Sequence, residues 1–122
     1  MLQTGLVDAH LALGFGLLAL AAVTLLIGVS AMLRHAPPPA LYLRLHRVAA
    51  GLLAAEISLG ALLFLGGRRP HISLHLVYAL AVLVVMPVAR SMARRDPSRA
   101  RYYHVGGTLL FLAVIFRLVT TG

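Results

Sequence analysis

The chain alternates long uncharged runs with short gaps rich in arginine, proline and glycine. Leu11 to Leu33 carries no charge, Val48 to Gly67 is broken only by Glu56, Ile72 to Ala89 has no Asp, Glu or Arg, and Val105 to Gly122 holds only Arg117. A helix needs about 20 apolar residues to cross the hydrocarbon core of a bilayer. Each run therefore has the length of a transmembrane helix. With a few residues added at their starts, the pattern predicts helices near 5–34, 40–66, 71–95 and 99–121, in one domain covering 1–122. The gaps explain why the helices stop. Pro37-Pro38-Pro39 supplies no amide hydrogens, Gly66-Gly67 with Pro70 ends the second run, and Arg94-Arg95-Asp96-Pro97-Ser98 separates the third from the fourth. Asp96 and Ser98 are N-cap candidates. Pro87, inside the third helix, is expected to kink it.

The fold class that follows is all-α: an integral membrane antiparallel four-helix bundle, up-down-up-down. Composition agrees, with 61% apolar residues and only 14 charged side chains among 122. Soluble domains carry roughly a quarter of their residues charged. The net charge of +8 does not point to nucleic acid, because the arginines sit in gaps between apolar runs rather than on one basic face with interleaved aromatics. Their distribution orients the chain instead. Arg34, Arg44 and Arg47 flank the first gap and Arg90, Arg94, Arg95, Arg99 and Arg101 the third, whereas the middle gap has Arg68 and Arg69 and the tails have none. By the positive-inside rule, loops 34–47 and 90–101 are cytoplasmic and both termini lie outside, in a multi-pass protein of the plasma membrane. The N-terminus lacks the basic region of a signal peptide, so the first helix is expected to stay. With no cysteine, disulfides, thiolate metal sites and covalent c-type haem attachment are excluded.

Candidate chemistry lies in the histidines. His10, His46, His75 and His104 each sit near the start of their own helix, while His35 and His71 fall at loop edges. Antiparallel helices sort the four into two levels: His10 with His75 near the outer face, His46 with His104 near the cytoplasmic face. Helices one and three are diagonal partners across such a bundle, as are two and four. Each level then offers two opposed neutral imidazoles, which suits bis-His ligation of a b-type haem. Zinc would want about four ligands at one level. Gly14, Gly51, Gly60 and Gly106 would give a ring room, and Met86 could pack a ring edge. Arg47, with Arg44 and Arg101, could meet propionates at the inner level, and Arg68, Arg69 and Arg117 at the outer one. Most of these arginines read more simply as topology signals or snorkelling side chains. The helical hairpins also echo each other weakly, Leu45-His46-Arg47-Val48-Ala49-Ala50-Gly51 against Tyr103-His104-Val105-Gly106-Gly107.

Leu45-His46-Arg47-Val48-Ala49-Ala50, Glu56-Ile57-Ser58-Leu59-Gly60 and Leu74-His75-Leu76-Val77-Tyr78-Ala79-Leu80 together resemble the four-helix haem-binding half of haem A synthases. The alternating histidines are similar to those of transmembrane di-haem b-type cytochromes. The resemblance covers residues 40 to 122 and implies haem b, one or two with two favoured, held by His10 and His75 and by His46 and His104. The chain departs from the synthases in having half their helices and no carboxylate just before His46-Arg47, which argues against haem-modifying catalysis. The expected function is a membrane b-type cytochrome for transmembrane electron transfer, or haem sensing or handling, with redox or haem-donating partners unspecified and a homo-oligomer possible. The alternatives are a small proton-coupled transporter using Glu56, since a mid-span carboxylate often marks an ion pathway, and a cofactor-free membrane subunit or assembly factor in which Asp8 pairs with Arg117.

Overall fold

In the computed structural model, which describes residues 2–122, the four apolar runs are α1 (Leu2–Leu33), α2 (Ala40–Leu65), α3 (Leu74–Arg95) and α4 (Ala100–Thr121). A single 3₁₀ turn, Pro97–Arg99, leads into α4. All four helices are long and apolar enough to cross a membrane. The described residues contain no strand.

Local chemistry sets the ends. At the close of α2, Gly67 has φ +88°, its amide reaches Phe64 O at 3.1 Å, and the Arg68 amide reaches Leu63 O at 3.0 Å. That paired arrangement is the Schellman motif, in which glycine takes the left-handed position. The same motif ends α1, where the His35 amide meets Met32 O at 3.0 Å and the Ala36 amide meets Ala31 O at 2.9 Å. Here the left-handed residue is His35, at φ 55°, a conformation costing a residue with a Cβ about 1–2 kcal/mol. Proline 39 occupies the N-cap of α2. α3 begins at Leu74 rather than near 71, because the chain turns through His71, Ile72 and Ser73 before the helix starts. Pro87 lies within α3, which continues through it; the carbonyl of Leu83, four residues back, loses its helical donor there.

The helices pack antiparallel. α1 lies between α2 and α4, and α4 packs most closely against α3. α1 thus faces α3 across the interior and α2 faces α4, the diagonal relation the sequence predicts. The fourth side differs from an even bundle: α2 and α3 make no comparable contact, and a groove runs between them. The core is small, built on Leu17, Ala21, Ala49, Leu53, Val82, Met86, Phe111 and Ile115. Close approach of α4 to α3 depends on Gly107, where a Cβ would collide with Ala89.

The surface inverts what a water-soluble protein displays. Leu26 is 70% exposed, Leu80 69% and Leu65 82%, among many others around the bundle. Four polar side chains within the helices, Thr24, His46, Thr108 and Thr121, are buried. Continuous apolar surface on this scale marks contact with an apolar medium or partner.

Candidate functional site

Polar groups gather at two levels of the bundle. The first level lies at the end formed by the starts of α1 and α3 and the ends of α2 and α4. His10 on α1 and His75 on α3 meet there, ring centroids 6.3 Å apart and ring planes 69° from parallel. Each is approached by an oxygen from another helix. His10 Nδ1 lies 3.1 Å from Glu56 Oε1, and His75 Nδ1 lies 3.3 Å from Thr121 Oγ1.

Proton bookkeeping fixes one tautomer. A threonine hydroxyl has a single hydrogen, and that of Thr121 is directed to the Arg117 carbonyl at 2.6 Å. Thr121 Oγ1 therefore accepts from His75, the proton sits on Nδ1, and Nε2 keeps its lone pair. The His10–Glu56 approach has the distance of an ion pair without the alignment of a hydrogen bond. His10 Nδ1 and Glu56 Oε2 accordingly remain buried and unbonded. Both unsatisfied atoms lie beside the facing imidazoles, and buried unsatisfied polar atoms are uncommon enough to require a reason.

Three glycines lie close against this level. A Cβ on Gly60 would stand 3.3 Å from His10 Cε1, one on Gly122 3.1 Å from His75 Cε1, and one on Gly14 3.1 Å from Glu56 Oε1. Gly60 thus lies against His10, and Gly14 against Glu56 and Val119. Gly51 and Gly106 are elsewhere: a Cβ on either would meet nothing within 4 Å.

The second level is built around Tyr42. Its ring lies edge-on to His46 at 4.6 Å and to His104 at 6.0 Å between centroids. Its hydroxyl is 2.9 Å from the His104 carbonyl and 2.7 Å from Thr108 Oγ1. Gly28 admits that ring, since a Cβ there would come within 2.9 Å of it. The Thr108 hydroxyl lies 2.8 Å from the His104 carbonyl and 3.0 Å from His46 Nε2, so it joins the tyrosine to the His46 ring. His104 Nδ1 is buried with no bonded partner. The two levels therefore differ in kind: one presents facing imidazoles, the other a tyrosine wedged against both rings and closed by a threonine.

Tyr42 and Thr108 were not singled out by sequence reasoning, although the signal was present. Tyr42 is four residues before His46 and Thr108 four after His104, and such pairs share a helix face. The arginines proposed for propionates are peripheral: Arg44, Arg47, Arg68, Arg69 and Arg117 are all exposed. Arg69 lies over Phe64 at 4.3 Å and Arg117 over Tyr78 at 5.7 Å. Arg101 donates to His35 Nδ1 at 3.0 Å. No Asp8–Arg117 ion pair forms among the described residues. Met86 packs in the core beside His46 and Phe111 rather than at His75.

Among the described residues no group of three or more His, Cys, Asp or Glu is arranged to hold a metal ion. Two imidazoles at one level are too few for a closed zinc site and are the usual number for the axial positions of a haem iron. Compared with protein-family models, curated proteins and solved structures, the chain matches none of them.

Proposed function

We propose that this chain is a multi-pass membrane protein with both termini outside, and that it holds a b-type haem between His10 and His75 for electron transfer. The observation that carries the reading is the pairing of these two rings with an oxygen behind each. Histidine ligands are generally oriented by a partner on the ring nitrogen that does not bind the metal. His75 has that partner in Thr121, which leaves Nε2 free to ligate. His10 has it in Glu56, and a small rotation of the ring would align the contact. The separation also suits the purpose. Two nitrogen–metal bonds of roughly 2.0 Å each, with the half-widths of the rings, place two imidazole centres about 6 Å apart, against the 6.3 Å found.

The haem would supply one-electron chemistry; the protein's part is to hold, orient and insulate it. His10 and His75 would be its ligands. Glu56 and Thr121 would fix the tautomer, and the surrounding aliphatic side chains would exclude water. At the inner level a second haem on His46 and His104 would require Tyr42 to withdraw and Thr108 to release His46, so the reading rests on the outer pair. The levels lie roughly 15–20 Å apart by helix rise, counting ten residues from His46 to Glu56 and thirteen from Thr108 to Thr121.

The test is haem content by visible absorption of detergent-purified variants. His10→Ala and His75→Ala should each abolish the outer-site spectrum, while His46→Ala should leave it. Retention of the full spectrum in both outer variants would refute the assignment.

A second reading draws on the same Glu56–His10 contact. A buried carboxylate with one free oxygen, beside an imidazole, is also the apparatus of a proton-coupled transporter. Proton flux in reconstituted vesicles that is driven by a substrate gradient and lost in Glu56→Gln would favour it over the haem reading.

A further inference from the structure

The groove between α2 and α3 holds a cation for which the chain provides no anion. The protein has only three acidic residues, Asp8, Glu56 and Asp96. Glu56 is engaged with His10 at the opposite level. Asp8 is on α1 at that same distant end. Asp96 caps α3, bound to Ser98 at 2.5 Å and Arg99 at 3.7 Å. Arg90, half-buried on α3 and lining the groove, makes no hydrogen bond or ion pair among the described residues. A guanidinium at one end of an apolar groove, with no carboxylate of its own chain paired to it, is placed to meet an anion from outside the chain.

The rest of the groove says what kind of anion. From the His46–Arg90 level it runs beside Ala50 and Leu83 to Ala54 and Val82, eight residues along each helix and so about 12 Å. Apart from that polar end it is apolar. Its rim residues Ala50, Ala54, Leu83 and Pro87 are exposed, so it opens sideways rather than toward the loops. Its volume, about 180 Å³, falls below the roughly 300–1,000 Å³ of pockets that enclose ring-sized molecules. A single hydrocarbon chain fits that description and a flat ring system does not. Arg90 stands five residues inside the end of α3, about 7 Å from it, which is headgroup depth for a helix crossing a bilayer.

We propose that this groove is a binding site for an anionic phospholipid, with the phosphate on Arg90 and one acyl chain lying along α2 and α3. Basic pockets between helices on the cytoplasmic side are a recognised way of holding anionic headgroups. The small residues Ala50 and Ala54, together with the missing α2–α3 packing, then have a common cause: the lipid chain stands where a side-chain interface would otherwise form. The proposal rests on reading the four helices as membrane spans and is independent of whether haem is bound.

Native mass spectrometry of the detergent-purified protein, given equal amounts of dioleoyl phosphatidylglycerol and dioleoyl phosphatidylcholine, tests it. The phosphatidylglycerol adduct should be favoured roughly tenfold, the size of one charge-assisted contact, because the choline cation of phosphatidylcholine already neutralises its phosphate and competes with Arg90 for it. Arg90→Gln should equalise the two lipids, and Arg90→Lys should keep most of the preference. Ala50→Phe, which fills the groove at an exposed position, should lower both adducts. Equal binding of the two lipids to the wild type would overturn the proposal. So would a preference that survives Arg90→Gln, because the loop arginines would then be its source. The membrane reading fails separately, if the chain stays monodisperse without detergent.

Discussion

At Thr108 one hydroxyl connects two aromatic rings. It lies at hydrogen-bond distance from the His104 carbonyl and from His46 Nε2, and the Tyr42 hydroxyl is 2.7 Å away. Removing it leaves a buried imidazole nitrogen without its partner, a loss of about 1–3 kcal/mol. Thr108→Val, nearly the same shape, should therefore lower the thermal unfolding midpoint in detergent clearly; an unchanged midpoint would mean that the network contributes nothing. Glu56 bears on the other level. If it positions His10, Glu56→Ala should weaken haem binding by about 10–100-fold, and Glu56→Gln, which keeps an oxygen acceptor, should recover most of it. Equal losses in the two variants would remove Glu56 from that role. The sequence made the four histidines legible because imidazoles within apolar runs are conspicuous. It left Tyr42 and Thr108 unread, because a hydroxyl among leucines stands out only once the facing helix is known.

Helix existence was easy to read from runs of 18 or more apolar residues, and helix ends were harder. α3 starts at Leu74 after a turn and α4 is preceded by a 3₁₀ turn, short local structures that hydrophobic periodicity does not resolve. Glycine roles were only half legible. Gly60 lies against His10 and Gly14 against Glu56, while Gly51 and Gly106 look outward, and periodicity in a uniformly apolar helix does not say which face is inside. The loop before α4 offers a pH test. The Ser98 hydroxyl, then the Arg99 amide and guanidinium, hold the Asp96 carboxyl below its ordinary value. A depressed carboxyl pKa stabilises the fold at pH above the unfolded value, near 3.8, and that contribution fades as pH falls through the lower folded value. Ser98→Ala should move the Asp96 titration upward, toward that of a free carboxyl, as followed by NMR. A titration left in place would assign the shift to Arg99 and the backbone amide of residue 98 rather than to the hydroxyl.

For the whole molecule, the antiparallel arrangement gives the scattered histidines meaning. It brings the starts of α1 and α3 to one end and those of α2 and α4 to the other, so that residues 65 positions apart, His10 and His75, become neighbours. What no periodicity foretold is the inequality of the two ends. One end brings two imidazoles face to face, and at the other Tyr42 lies against both rings. The separation of α2 from α3 was equally hidden, because both helices are apolar on all sides and nothing in their sequences marks a face left without a protein partner. A packed core of modest size under an apolar exterior fits a chain whose helices are held partly by the surrounding bilayer. The measurement that bears most directly on the central claim is the reduced-minus-oxidised visible spectrum of the wild-type protein, purified in detergent from cells supplied with haem precursor. The expected result is a Soret band with sharp reduced α and β bands that disappear in His75→Ala. A colourless preparation that is fully folded by circular dichroism would contradict it.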